Sequence, residues 1–253
     1  MPVKPMTSEI TIVNVTMHKF VVHILGTTPI ILNCMSQKVM RELLLPKGKK
    51  TAADKAQSLK HDPLQEFRDS PYKIAEGPTA IGIPAGAFKQ AMCTAALDTP
   101  GTARTQIRRL IYVHGQLLPI YGLPQLFMAV TRSADINKTP DVRSRCILPE
   151  WAVELCIEYP SPMLNATAIG NLLVTAGFTA GVGDWRQEKG SGNYGSFKIV
   201  AHDDPDYQRI VSSYGRKEQL AALQDPEPHD IETQNLLSWY QVELRRRGFK
   251  EAA

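Results

Sequence analysis

An α+β fold built on a ferredoxin-like βαββαβ core is predicted by three features of the chain. Stretches rich in β-branched and alternating apolar residues fall at 10–33, 108–122, within 124–159 and at 194–202. Helical spacing of apolar residues falls near 84–96 and 164–176. Hydrophobic residues make up 43% of the 253, enough to bury a full core and too many for global disorder. Read in order, the core is strand, helix, strand, strand, helix, strand, a layout that places two helices on one face of a four-stranded antiparallel sheet. One domain over 1–253 is expected, with a basic insertion at 38–80, a hairpin insertion at 120–150 and an acidic helical extension at 201–253.

In the first strand Val13, Val15, Met17, Val21 and Leu25 share one parity. Gly26 and Pro29 interrupt it, and Ile-Ile-Leu-Asn continues extended. A helical turn over 35–45 leads into a polar stretch with poor apolar periodicity. Lys38 to Lys60 holds seven Lys or Arg against two acids, and an excursion from the core is expected there. Pro84 suits a first helical turn, Phe88, Met92, Ala95 and Ala96 follow at helical spacing, and Pro100-Gly101 ends the helix. Residues 108–122 then read as strand. Two long strands follow around a polar loop at 135–145, the second with Trp151, Val153, Leu155 and Ile157 on one side. Leu164, Ala168, Leu172 and Ala176 mark a helix capped near Asn165. In the last helix Leu236, Leu237, Tyr240 and Leu244 form the apolar face. Arg245 to Arg247 suit its dipole and Gly248 its end.

No run of 18 apolar residues is present, so no membrane span is expected. The first fifteen residues lack the charged and apolar regions of a secretory signal, and a cytoplasmic location is expected. The four cysteines, at 34, 93, 146 and 156, fit no zinc spacing and read as small buried hydrophobes. Charge is uneven. Residues 201–253 hold 7 Lys or Arg and 10 Asp or Glu, whereas residues 1–200 hold 22 and 15. A basic body with an acidic tail points to a polyanionic partner for the body.

The stretch 181–195 concentrates glycine with Trp185, Arg186, Lys189 and Tyr194. Glycine lets amides approach a phosphate, Arg and Lys supply charge, and aromatic rings stack on unpaired bases. The match of 190–195 to G-x-G-x-x-G is rejected as a dinucleotide motif, because a helix precedes it and a strand follows. Lys89, on the helix opened by Pro84, is a candidate phosphate contact. So are Arg104, Arg108 and Arg109; on a strand the last two face opposite ways. The loop from Arg132 to Arg145, with Arg143 and Arg145 at its end, reads as a basic hairpin that could wedge against a nucleic-acid strand. His202, Asp203, Asp204 and Asp206 are the one candidate metal cluster, but beside Pro205 they read as a turn. His18 and His23 face opposite sides of their strand and make a poor ligand pair. No G-x-S-x-G and no P-loop is present, and no cofactor, metal or catalytic residue is expected.

The Gly-Thr-Thr-Pro turn after the first strand, then Ile-Pro-Ala-Gly-Ala-Phe-Lys-Gln-Ala opening a helix, then the glycine-rich 181–195, resemble the RAMP superfamily, the RNA-binding proteins of CRISPR systems. The likeness is strongest to the backbone subunits that coat a guide RNA, and it covers about 10–33, 81–113 and 150–200. It implies an RRM-like variant of the ferredoxin fold, places Lys89 at the family's helix lysine and 181–195 at its glycine-rich loop. It makes 120–150 or 38–80 a thumb-like insertion. RNA-cutting members carry an aspartate after the first strand. Here that region reads Asn33-Cys34-Met35-Ser36-Gln37, with no carboxylate, so no cleavage is expected. The expected function is to bind single-stranded RNA, or single-stranded DNA, through its phosphates. Copies would repeat along the strand, with other effector subunits as possible partners. The alternatives are an RNA-processing nuclease of the same fold and a virus-encoded subunit mimic that acts through protein contacts.

Overall fold

Among the residues described by the computed structural model, 14–45, 61–132, 140–189 and 192–248, ten strands and eight helices build an α+β fold. In chain order they are β1 (Thr16–Gly26), β2 (Ile30–Leu32), α1 (Gln37–Leu44), α2 (Pro63–Asp69), β3 (Tyr72–Lys73) and β4 (Ile81–Pro84). Then come α3 (Ala85–Ala95), α4 (Arg104–Leu110), β5 (Tyr112–Val113), β6 (Leu117–Tyr121), β7 (Gln125–Arg132) and β8 (Pro140–Leu148). Last are β9 (Ala152–Ser161), α5 (Ala166–Thr179), β10 (Phe197–Val200), α6 (Pro205–Ser213), α7 (Arg216–Gln224) and α8 (Ile231–Arg246).

The larger sheet has the order β10-β1-β9-β6-β4-β3, and β5 also pairs with β9. A smaller sheet, β2-β8-β7, stands apart from it. Neighbouring strands are antiparallel throughout. On one face of the larger sheet Val22, Ile24, Val153, Leu155 and Ile157 pack with Phe88 and Met92 of α3 and Leu172 and Leu173 of α5 in one core. Helix α5 starts where expected: the Asn165 side chain accepts from Ala168 N at 2.8 Å. The fully buried Trp151 lies over Gly26, where any Cβ would run into the indole. Its ring nitrogen donates to Thr28 O at 2.8 Å, which fixes the turn from β1 to β2.

The parity of β1 turns out opposite to a simple core reading. Val22 and Ile24 face the core, whereas Met17 and Val21 are 56% and 52% exposed. Of the odd apolar residues from Val15 to Leu25, Leu25 alone is buried, beneath Tyr207 and Ile210 of α6.

Three further expectations are corrected. Arg108 to Leu110 are the end of a helix, α4, and not the start of a strand. Ile107 is the single buried residue there among mostly polar neighbours, and the alternation begins only at Ile111. Residues 61–80 are part of the core rather than an excursion. Phe67 is fully buried, and His61 lies 2.7 Å from Glu66 and 2.9 Å from Asp141, tying α2 to β8. The rest of the basic stretch, 46–60, lies outside the described residues. The tail holds three helices, where one was expected; 249–253 lie outside the described residues.

Polar bonds dock the tail. Gln219 is fully buried where β4 and β6 part. Its oxygen accepts from Ala80 N and Ile81 N, and its amide donates to Ile120 O and Gly122 O, at 2.8–3.1 Å. Arg216 caps the Thr79, Ile74 and Ala75 carbonyls. Leu126 and His229 extend the edge of β7 through Leu126 N to Glu227 O and His229 N to Leu126 O. All four cysteines are free, Cys93 and Cys146 buried, Cys34 and Cys156 half-buried. No described helix is long and apolar enough to cross a membrane.

Candidate nucleic-acid interface

The structure separates the ten candidate residues into three groups. The first sits where α3 meets α4. Lys89 is half-buried on α3, and Arg104, Arg108 and Arg109 are exposed on α4. Arg104 and Arg108 are one turn apart on the same helix face, and Arg109 lies about 100° further round. Burial pushes the Cys93 thiol above its ordinary value, and the charges of Lys89, Arg104 and Arg108 oppose that shift. None of the four cations has a side-chain hydrogen bond or ion pair among the described residues.

The second group is the glycine-rich loop, whose role differs from the one expected. The amides of Val182, Asp184 and Gly195 donate to Gly195 O, Ile31 O and Pro29 O, and that of Tyr194 to Trp185 O. They hold the loop against the β1–β2 turn and are not free to bind phosphate. Gly195 has φ +72, and a Cβ there would fall on the Val182 carbonyl oxygen. This glycine serves close backbone packing. Arg186 is spent within the loop. It donates to Gly183 O at 2.9 Å and to Glu188 at 2.8 Å. Burial would raise the Glu188 carboxyl, but bonds from Arg186 and Thr94 outweigh it and hold it below its ordinary value. The Thr94 bond, 2.9 Å, ties the loop to α3. Lys189 is exposed. Gly190 and Ser191 lie outside the described residues.

The third group lies on the smaller sheet. Trp185 and Tyr194 pack on Phe127 at ring distances of 6.0 and 6.2 Å, over Ile31 and Ile147. Both rings are half-buried, so neither offers a whole face to a base. The Arg145 guanidinium stacks 5.2 Å from the Trp185 ring centre, and its Nη1 lies 2.6 Å from Asp184 Oδ2 outside hydrogen-bond alignment. Burial pulls Arg145 below its ordinary value, and Asp184 opposes this. Arg143 pairs with Asp141 at 3.0 Å. Both arginines line a cleft of about 1220 Å³ together with six carboxylates, those of Glu42, Asp62, Glu66, Asp69, Asp141 and Asp184. An acid-rich wall is a poor phosphate track. The tip of the hairpin, 133–139, lies outside the described residues.

The remaining candidates have local duties. Asp204 caps α6, accepting from Asp206 N and Tyr207 N at 3.0 Å. His23 sits 3.4 Å from Glu154 and edge-on to Tyr207, and His18 stacks on Tyr159. Asp184, Glu188 and Thr94 decide which cations are free, and sequence reasoning passed over them. The available signal was the run of Asp184, Arg186 and Glu188, which sets opposite charges two residues apart. A smaller pocket of about 280 Å³ opens between Pro84, Ala87 and Gln90 of the α3 start and the loop at Gly181 to Asp184.

These placements predict different outcomes for two substitutions. Lys89→Ala should leave the melting temperature nearly unchanged and weaken the salt dependence of single-stranded RNA binding by about 0.7 in log–log slope. Arg186→Ala should keep that slope and destabilise the fold by roughly 1–3 kcal/mol, since Glu188 loses its partner. Thermal melts beside anisotropy titrations separate the two.

No protein-family model matches the sequence, and no curated protein matches it. Among solved structures, the crystal structure of Cmr6 from Pyrococcus furiosus is similar with a TM-score of 0.38 and 8% identity, over 73% of this chain and 98% of that one. A likeness at that score assigns neither fold nor function to this chain.

Proposed function

We propose that the chain binds single-stranded nucleic acid, guide RNA first, through its phosphates, and that copies repeat along the strand as a RAMP-type backbone subunit. The observation that carries this is the corner of α3 and α4. Lys89 on α3 and Arg104, Arg108 and Arg109 on α4 have no carboxylate partner among the described residues. Cations left without a partner inside the fold are available to an anionic ligand. Phosphate contacts of this kind track a backbone without reading bases, so weak sequence preference follows. Single-stranded DNA is the second polynucleotide such a track accepts.

The sheet order β10-β1-β9-β6, with α3 and α5 on one face, supports the ferredoxin-like, RRM-like reading of the core. In that reading the whole chain is one domain. The hairpin of β7 and β8 within 120–150 is the thumb-like insertion, and 201–253 is the helical extension. The protein binds without cutting, works in the cytoplasm, and gains avidity from neighbouring copies and other effector subunits.

Size-exclusion chromatography of the freshly purified chain tests this directly. Material with a high 260/280 nm absorbance ratio is expected, and nuclease treatment should remove that ratio together with any mass above a dimer. A clean protein peak with no nucleic acid at low salt contradicts the proposal. A denaturing gel with and without Mg²⁺ should show intact RNA; cleaved RNA would turn the reading toward a nuclease. A protein partner that survives nuclease treatment would turn it toward a mimic.

A further inference from the structure

One flank of β1 is longer than the strand beside it. β9 pairs with it from Thr16 to Leu25, but β10 pairs only with His23 to Gly26. In an antiparallel ladder, alternate residues turn their N–H and C=O to opposite sides. Gly26 N donates to Trp151 O, so the even residues of β1 serve β9. Thr27 N donates to Ser196 O, so the odd residues face the other way. The backbones of Val15, Met17, Lys19 and Val21 therefore point off the sheet, and that edge has no backbone partner among the described residues.

The side chains of the same residues are open as well. Val15 is 41% exposed, and Met17 and Val21 more than half exposed. Natural edges are usually blunted by charge, proline or a bulge. Here the described edge carries one lysine, and Lys19 Nζ lies 3.8 Å from Glu158 Oε2, which offsets part of its charge. An open, apolar, extended edge is a template for another strand.

We propose that two copies of the chain pair through β1, antiparallel about a two-fold axis at His18, so that the larger sheet runs through both. The register argues for a second copy as the occupant. With the axis at His18, Met17 faces Lys19 of the second copy and Val15 faces its Val21, each pair occurring twice. All four outward backbones are then satisfied, and on the outer face only apolar side chains and the Lys19 stems meet. Moving the axis to Lys19 sets lysine against lysine and pushes Val15 into the position β10 holds beside His23. One strand thus supplies both halves of a matched interface, as an isologous contact requires. This inference stands apart from nucleic-acid binding.

Sedimentation equilibrium on the full chain, freed of nucleic acid by nuclease and high salt, tests it. A concentration-dependent dimer is expected. Lys19→Pro removes an N–H that the β9 ladder does not use and should leave a monomer with unchanged circular dichroism and melting. Met17→Lys, which opposes two lysine pairs, should weaken the dimer about tenfold, and Met17→Glu should restore or tighten it. A monomer at every concentration, or a dimer indifferent to both Met17 substitutions, overturns the inference, even if Lys19→Pro fails to fold. Dimers without RNA binding would overturn the proposed function alone; RNA binding by a strict monomer would overturn this pairing alone.

Discussion

Gln219→Ala should lower the melting temperature by roughly 10 °C, whereas Leu220→Ala, next in the same helix, should leave it nearly unchanged. The contrast follows from what each side chain touches. Leu220 is half exposed to solvent. Gln219 is fully buried and accepts two bonds and donates two, all with backbone groups in or beside β4 and β6. Where these strands part, its amide replaces the missing rungs of the ladder. Truncation strands Ala80 N, Ile81 N, Ile120 O and Gly122 O without water, and each buried orphan costs about 1–3 kcal/mol. The groups relax together, so the total should be roughly 3–5 kcal/mol rather than a simple sum. Differential scanning fluorimetry of the two variants is sufficient. Equal, small shifts would mean that the tail is not docked through this residue.

The double substitution Arg104→Glu and Arg108→Glu should weaken single-stranded RNA binding about a hundredfold at moderate salt. In the proposed interface each reversal removes one phosphate contact and adds a repulsion. Neither arginine has a partner among the described residues, and both are exposed, so the melting temperature should move little. Lys217→Glu, at an exposed position of α7, is the control, and should change affinity by less than twofold. Loss of binding without loss of stability places the contact at the α3–α4 corner. A binding defect that tracks a fall in melting temperature would instead report a damaged fold.

The order of the core elements was legible in the chain because each has its own period. Asn165 announced α5, and Leu172 and Ala176 marked its buried face. Arg108 and Arg109 were misassigned because the alternation of 111–121 was extended backward over a short helix with one buried residue. The exposure of Met17 and Val21 was unreadable, since parity tells which residues share a face and not which face is covered. Only α6, folding back over Leu25, decides where that cover ends. Within the candidate site, cation positions were visible and their availability was not. Arg145 looks like Arg104 in a sequence, but Asp184 reaches it only in the folded chain, whereas the Glu188 partner of Arg186 stands two residues away. Gln219 sits in an unremarkable polar helix, and its duty comes from strands some hundred residues earlier.

The proposed phosphate track at α3 and α4 is tested most directly by the salt dependence of binding to a labelled unstructured RNA, measured by fluorescence anisotropy across a salt series. If about four phosphates are neutralised per chain, the logarithm of the association constant should fall against the logarithm of salt with a slope near −3. A flat response, or no association even at the lowest salt, would contradict the account.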